Sequence, residues 1–101
     1  ITVTNAAGPN ASTAYDINVL DVLDSAIELI NANVGAGQGI VVSGATVASN
    51  SSTINNVDLV LSQLAAGSSA TITLNATVNS NAVSGDTVNN TSSITYTSLT
   101  G

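Results

Sequence analysis

The groups in this chain that can do acid–base or ligand chemistry are six carboxylates: Asp16, Asp21, Asp24, Glu28, Asp58 and Asp86. Nothing of opposite sign accompanies them, because lysine, arginine and histidine are all absent and the formal net charge at pH 7 is −6. Four of the six fall between Asp16 and Glu28. Without His or Cys, such a cluster can take only a hard, oxygen-ligated cation, and calcium suits carboxylates helped by asparagine and backbone carbonyls. Asp16, Asp21, Asp24 and Glu28 are therefore the candidate Ca2+ ligands, with the ion relieving their mutual repulsion. The competing reading, that these are solvent-facing strand and turn residues, is the one the residues favour. No D-x-D-x-D-G loop is present, and Asp side chains in strands and turns commonly accept nearby backbone N–H bonds.

Other chemistry is poorly provided for. Paired carboxylates can cleave glycosides, but Tyr15 and Tyr96 are the whole aromatic complement and offer no platform for a sugar. The many Ser and Thr hydroxyls have no His or Lys to activate them as nucleophiles. An enzyme is not expected. The missing cations also exclude partners: nucleic acid and anionic membrane surfaces are bound through Lys and Arg. Sequons of the form N-x-[ST] begin at Asn10, Asn50, Asn75, Asn89 and Asn90. Asn10 and Asn50 fall in expected loops and are the candidates for attached glycans.

The elements that must position these groups are strands. At 101 residues the chain suits one domain. Its apolar residues are Val, Ile, Leu and Ala, with no Phe, Trp or Met, a thin core that fits two packed sheets. Thr and Val favour strands, while Asn and Gly disfavour helices. Alternation of period two recurs along the chain. It marks 1–5, then 13–20 with Tyr15, Ile17 and Val19 on one face, then 27–34 and 40–42. It returns with Val57, Leu59 and Leu61, before a shift to Leu64. Its longest run is Ala70, Ile72, Leu74, Ala76 and Val78, and it ends with Ile94 and Tyr96. Turns are expected at 7–10, 35–39, 49–53, 65–68 and 84–86. A helical turn over 21–30, with Asp24 as N-cap, competes with the strand assignment. The fold expected is all-β: an Ig-like antiparallel β-sandwich of about seven strands. Tyr15, Ile17, Val19, Leu59, Leu61, Ile72, Leu74, Ile94 and Tyr96 are its expected core.

No cysteine is present, so no disulfide staples the fold, and no run approaches the ~20 apolar residues of a membrane-spanning helix. The chain opens on Ile-Thr-Val-Thr-Asn without Met or a signal peptide, and reads as a processed product or an excised piece.

Three blocks carry a resemblance. Asn5-Ala-Ala-Gly8-Pro9-Asn10 with Tyr15-Asp16-Ile17-Asn18-Val19-Leu20-Asp21 is similar to the opening of the DUF11 repeat family. Leu64-Ala65-Ala66-Gly67-Ser68-Ser69-Ala70-Thr71-Ile72-Thr73-Leu74 and Gly85-Asp86-Thr87-Val88-Asn89-Asn90-Thr91-Ser92-Ser93-Ile94 resemble its later blocks, in the family's order. Asp24 stands where that family often has Pro, and 34–56 does not align. The resemblance implies an immunoglobulin-like sandwich used in tandem as a stalk, spacer or adhesin module on bacterial or archaeal surfaces, with no catalytic site. Crosslinking through Lys–Asn isopeptide bonds is excluded by the absence of Lys. The expected partners are neighbouring copies or tandem domains of the same protein. The alternative is a filament subunit whose terminal strand completes a neighbour's sheet, since the edges carry no Lys to discourage pairing.

Overall fold

The structure is a computed structural model that describes residues 1–80, 85 and 90–98. It is all-β, and its described strands lie in antiparallel sheets. In chain order they are β1 (Thr2–Thr4), β2 (Ala14–Val22), β3 (Ile27–Leu29), β4 (Ile40–Ser43), β5 (Val47–Asn50), β6 (Asn56–Leu64), β7 (Ser69–Leu74), β8 (Ala76–Val78) and β9 (Thr91–Thr97). One sheet has the order β1-β7-β4 and the other β5-β6-β2-β9, while β3 and β8 form a separate ribbon. The two main sheets together hold seven strands, six of them expected from the alternation and β5 not, and the ribbon adds two, of which β3 was expected.

Burial follows the alternation. Ile17 and Val19 of β2 point inward, as do Val57, Leu59 and Leu61 of β6, and Ala70 and Ile72 of β7. With Val3, Leu23, Leu29, Ile40 and Leu64 they make one continuous cluster between the sheets. β2 and β6 pair over nearly their full length, from Ala14 opposite Leu64 to Val22 opposite Asn56.

Turn chemistry joins these strands. Ala11 N–H donates to the Gly8 carbonyl at 3.1 Å, closing a turn with Pro9 at its second position. Ser68 N–H donates to Ala65 at 3.0 Å across a turn whose third residue, Gly67, has φ +80°, a conformation that favours glycine.

The departures from expectation have local causes. The run from Ala70 to Val78 is two strands. Its backbone is diverted at Asn75, whose N–H donates to Gly39 at 2.9 Å and whose carbonyl accepts Ile30 N–H at 3.0 Å. After that exchange of partners, Ala76 and Val78 pair with β3 and stay exposed. The segment 27–34 keeps strand geometry only over Ile27–Leu29. No helix forms over 21–30; Asp24 Oδ1 does accept a backbone N–H, that of Ala26 at 2.8 Å, but it closes a single turn. Val47–Asn50, part of which reads as loop in the sequence, is an edge strand on β6. Ile94 and Tyr96, expected in the core, are 40% and 66% exposed on β9, which among the described residues is the end strand of its sheet. The turn at 84–86 and the position of Val88 lie outside the described residues, apart from Gly85.

Candidate functional site

Asparagine does here what cationic side chains do elsewhere. With no Lys, Arg or His, amide Nδ2 groups are the long-reach donors available, and they bridge elements throughout. Asn5 donates to the Ser12 carbonyl at 2.7 Å and to Leu64 at 2.9 Å, tying the first turn to the end of β6. Asn18 donates to Asp58 Oδ1 and to the Leu59 carbonyl, both at 3.0 Å, across the β2–β6 pair. Asn79 donates to Ser25 at 2.9 Å. Each such bond contributes about 1 kcal/mol net.

The four carboxylates proposed as calcium ligands are not brought together. Asp16 and Asp21 sit on one strand at opposite parity, so their side chains leave opposite faces of the sheet. Asp16 is exposed, Asp21 fully buried, Asp24 closes its own turn, and Glu28 is half-buried on the β3–β8 ribbon. Among the described residues no three carboxylates form a group able to hold a metal. Proximity in sequence therefore does not become proximity in space, because an extended chain separates successive residues by about 3.3 Å and turns them to alternate faces.

Asp16 has a different role. It is the one described non-glycine residue with positive φ, at 48°. The β2–β6 register runs through it unbroken, whereas the β2–β9 register shifts by one between Tyr15 and Asn18. Asp16 is thus the extra residue of a β-bulge facing β9, in the left-handed conformation that Asp and Asn tolerate best after Gly. Asp16→Val is expected to cost about 1–2 kcal/mol, the left-handed penalty of a branched residue, and Asp16→Gly to be tolerated. Urea midpoints of the two variants check this; equal midpoints would remove the bulge.

Asp21, a candidate calcium ligand in the sequence, is instead a buried residue, and that burial is what sequence reasoning missed. Its side chain has no exposed surface, and its Oδ2 accepts Asn90 Nδ2–H at 2.7 Å. Oδ1 has no hydrogen-bond partner among the described residues. The signal was present in the parity: Ile17, Val19, Asp21 and Leu23 share one face, and continuing the strand two residues past Leu20 places Asp21 inside. Buried carboxylates usually pair with a cation, and this chain has none to offer. The nearest compensation is the amide of Asn90.

The glycan candidates are placed differently from one another. Asn10 is exposed in the turn after β1. Asn50 ends β5, where its Nδ2 donates to the Ala32 carbonyl at 2.8 Å and its Oδ1 accepts Ser52 N–H at 3.0 Å, so the nitrogen a glycan would need is engaged.

A concave surface lies elsewhere, between the edges of the two main sheets. A groove of about 550 Å3 opens between β1 and β9, with Val3, Ile17 and Leu64 at its floor and Ile94 and Tyr96 on its wall. Among the described residues no charged side chain lines it. Comparison with family models, with curated proteins and with solved structures finds no match for this chain.

Proposed function

We propose that this chain is a non-enzymatic structural module of an extracellular surface protein or fibre, a spacer of the DUF11 kind. The observation that carries the reading is shape. The molecule measures 50 × 24 × 21 Å with a radius of gyration of 14.9 Å, against about 13 Å for a compact domain of 100 residues. Its two longest strands, β2 and β6, are nine residues each and lie side by side across the middle of the four-stranded sheet. A rod stiffened by a continuous apolar core holds its ends apart, which is what a stalk or spacer requires. Among the described residues the carboxylates are dispersed and supply no convergent acid–base pair. The first two DUF11-like blocks span the turn after β1 with most of β2, and the turn from β6 into β7 with β7 itself. The absence of Lys and Arg, which removes every trypsin-type cleavage site, fits exposure outside the cell.

Small-angle scattering on the chain, and on copies linked head to tail, tests the reading. A maximum dimension near 50 Å for one copy, growing by a constant increment per linked copy, is the expected result. A single copy that scatters as a sphere, or linked copies that scatter as a flexible coil, would overturn it.

A further inference from the structure

We infer that Asn10 is the residue at which the folded chain accepts an N-linked oligosaccharide, and that the fold withholds the other described sequons from the same modification. The inference rests on the extracellular reading above and adds to it a site and its chemistry. A sequon is used on a surface loop, and transfer makes three demands of it. The Asn amide nitrogen must be free to attack, the hydroxyl two residues on must be free to be recognised, and the tripeptide must be able to enter an enzyme's groove.

Of the sequons, those at Asn10, Asn50, Asn75 and Asn90 are described, and that at Asn89 lies outside the described residues. Three of the four fail. Asn50 is in β5; its Nδ2 donates to the Ala32 carbonyl at 2.8 Å, and the hydroxyl of its sequon, Ser52 Oγ, accepts Asp58 N–H at 2.8 Å. Asn75 Nδ2 donates to the Gln38 carbonyl at 2.8 Å, its backbone is bonded to Gly39 and Ile30, and Thr77 lies in β8 opposite Glu28. Asn90 Nδ2 donates to Asp21 Oδ2 at 2.7 Å, and Thr91 and Ser92 are paired with β2. Freeing any of these nitrogens breaks a bond between elements, and in the last case strips a buried carboxylate of its amide.

Asn10 meets all three demands. Every residue from 6 to 12 is exposed, and among the described residues neither the Asn10 side chain nor the Ser12 hydroxyl has a partner. The segment is held by Ala11 N–H donating to the Gly8 carbonyl at 3.1 Å and by Asn5 Nδ2 donating to the Ser12 carbonyl at 2.7 Å. Neither bond belongs to a strand ladder, so the tripeptide can be drawn out without unpairing a sheet. No carboxylate occurs between Asn5 and Tyr15, so an anionic donor meets no like charge within the loop. That donor is a polyprenyl-diphosphate oligosaccharide, brought by a transferase. Asn10 Nδ2 bonds to the anomeric carbon, the bond from that carbon to the diphosphate oxygen breaks, the diphosphate leaves with the electron pair, and one amide proton passes to the transferase. The glycan then covers an exposed loop, the kind of segment where proteolytic nicking concentrates.

The test supplies the intact folded chain to a single-subunit oligosaccharyltransferase of relaxed N-x-[ST] specificity with a polyprenyl-diphosphate oligosaccharide. Intact mass and fragmentation of non-tryptic peptides read the result. The expected product is the 9.9 kDa chain carrying one oligosaccharide, on Asn10. Asn10→Gln and Ser12→Ala should each abolish transfer and leave the urea midpoint unchanged. Free peptides spanning 6–16, 46–56 and 71–81 should all be modified, which makes the fold, and not the tripeptide, the source of the choice. A folded chain left bare overturns the assignment, as does one glycosylated at Asn50, Asn75, Asn89 or Asn90. Free peptides 46–56 and 71–81 that stay bare overturn protection by the fold. A bare chain that still scatters as a 50 Å rod loses only the glycan site, whereas a spherical chain glycosylated at Asn10 loses only the spacer reading.

Discussion

Alanine in place of Gly39 is expected to cost about 3 kcal/mol or more, at or beyond the upper end of ordinary overpacking. A Cβ at this position would fall on the backbone carbonyl oxygen of Asn31, and would stand 2.9 Å from the Asn31 carbonyl carbon and 3.0 Å from its nitrogen. These are main-chain atoms, so no rotamer change relieves the overlap and the backbone itself must move. That backbone is heavily committed. Gly39 N–H donates to Asn31 Oδ1 at 3.0 Å, and the Gly39 carbonyl accepts Asn75 N–H at 2.9 Å. Asn31 Nδ2 also donates to Gln38 Oε1 at 2.9 Å, and Asn75 Nδ2 to the Gln38 carbonyl at 2.8 Å. Moving Gly39 therefore disturbs the junction where the chain leaves β3, enters β4 and passes from β7 to β8. Gly8→Ala is the control, since a Cβ there meets nothing within 4 Å, and it should stay within about 0.5 kcal/mol of the parent. Urea denaturation of both variants decides the matter. Equal midpoints would mean that the 31–39 loop does not pack against Asn31 as described.

The same junction marks where the sequence stops being readable. The fold class was legible because alternation and turn residues agree: Ile17, Val19, Leu59, Leu61 and Ile72 are inside as their parity requires, and Gly8-Pro9 and Ala65–Ser68 turn as their types require. Partner choice was not. Ala70 to Val78 keeps one parity throughout, yet Asn75 hands the chain from β4 to β3, and that exchange depends on Gly39 and Ile30, which are distant in sequence. Ile94 and Tyr96 have core-like spacing, but spacing states only which residues share a face; whether a sheet lies opposite that face is a property of strand order. The four carboxylates of the candidate metal cluster lie apart for a related reason. Sequence density of Asp and Glu is not spatial density, because β2 sends Asp16 and Asp21 to opposite sides. Extending the alternation past Leu20 would have placed Asp21 in the interior; its pairing with Asn90, 69 residues away, has no local signature.

Leu59→Ala is the substitution expected to cost most within the core, about 4–5 kcal/mol, the upper part of the range for a buried leucine. Leu59 is completely buried in the middle of β6, opposite Val19 of β2 and Asn50 of β5, with Val57 and Leu61 on the same face. The size of the loss depends on whether neighbours can fill the space left behind. Here they cannot do so easily. The buried cluster is rich in β-branched residues, Val3, Ile17, Val19, Ile40, Val57 and Ile72, whose χ1 angles are stiff. No Met is present in the chain to flow into a gap. Most of the cavity should therefore persist, and a stability of about 5–15 kcal/mol, normal for a domain, leaves little margin for it. Leu74 provides the internal comparison. The alternation marks it as core, for which the full 2–5 kcal/mol of a leucine truncation would apply. It is instead only partly buried at the end of β7, so Leu74→Ala should lose clearly less than Leu59→Ala. Equilibrium urea unfolding with an unchanged denaturant slope measures both. If the two losses are equal, or Leu59→Ala costs less than about 2 kcal/mol, the sandwich core is not centred on β6. The rigidity assigned to the rod would then need another source.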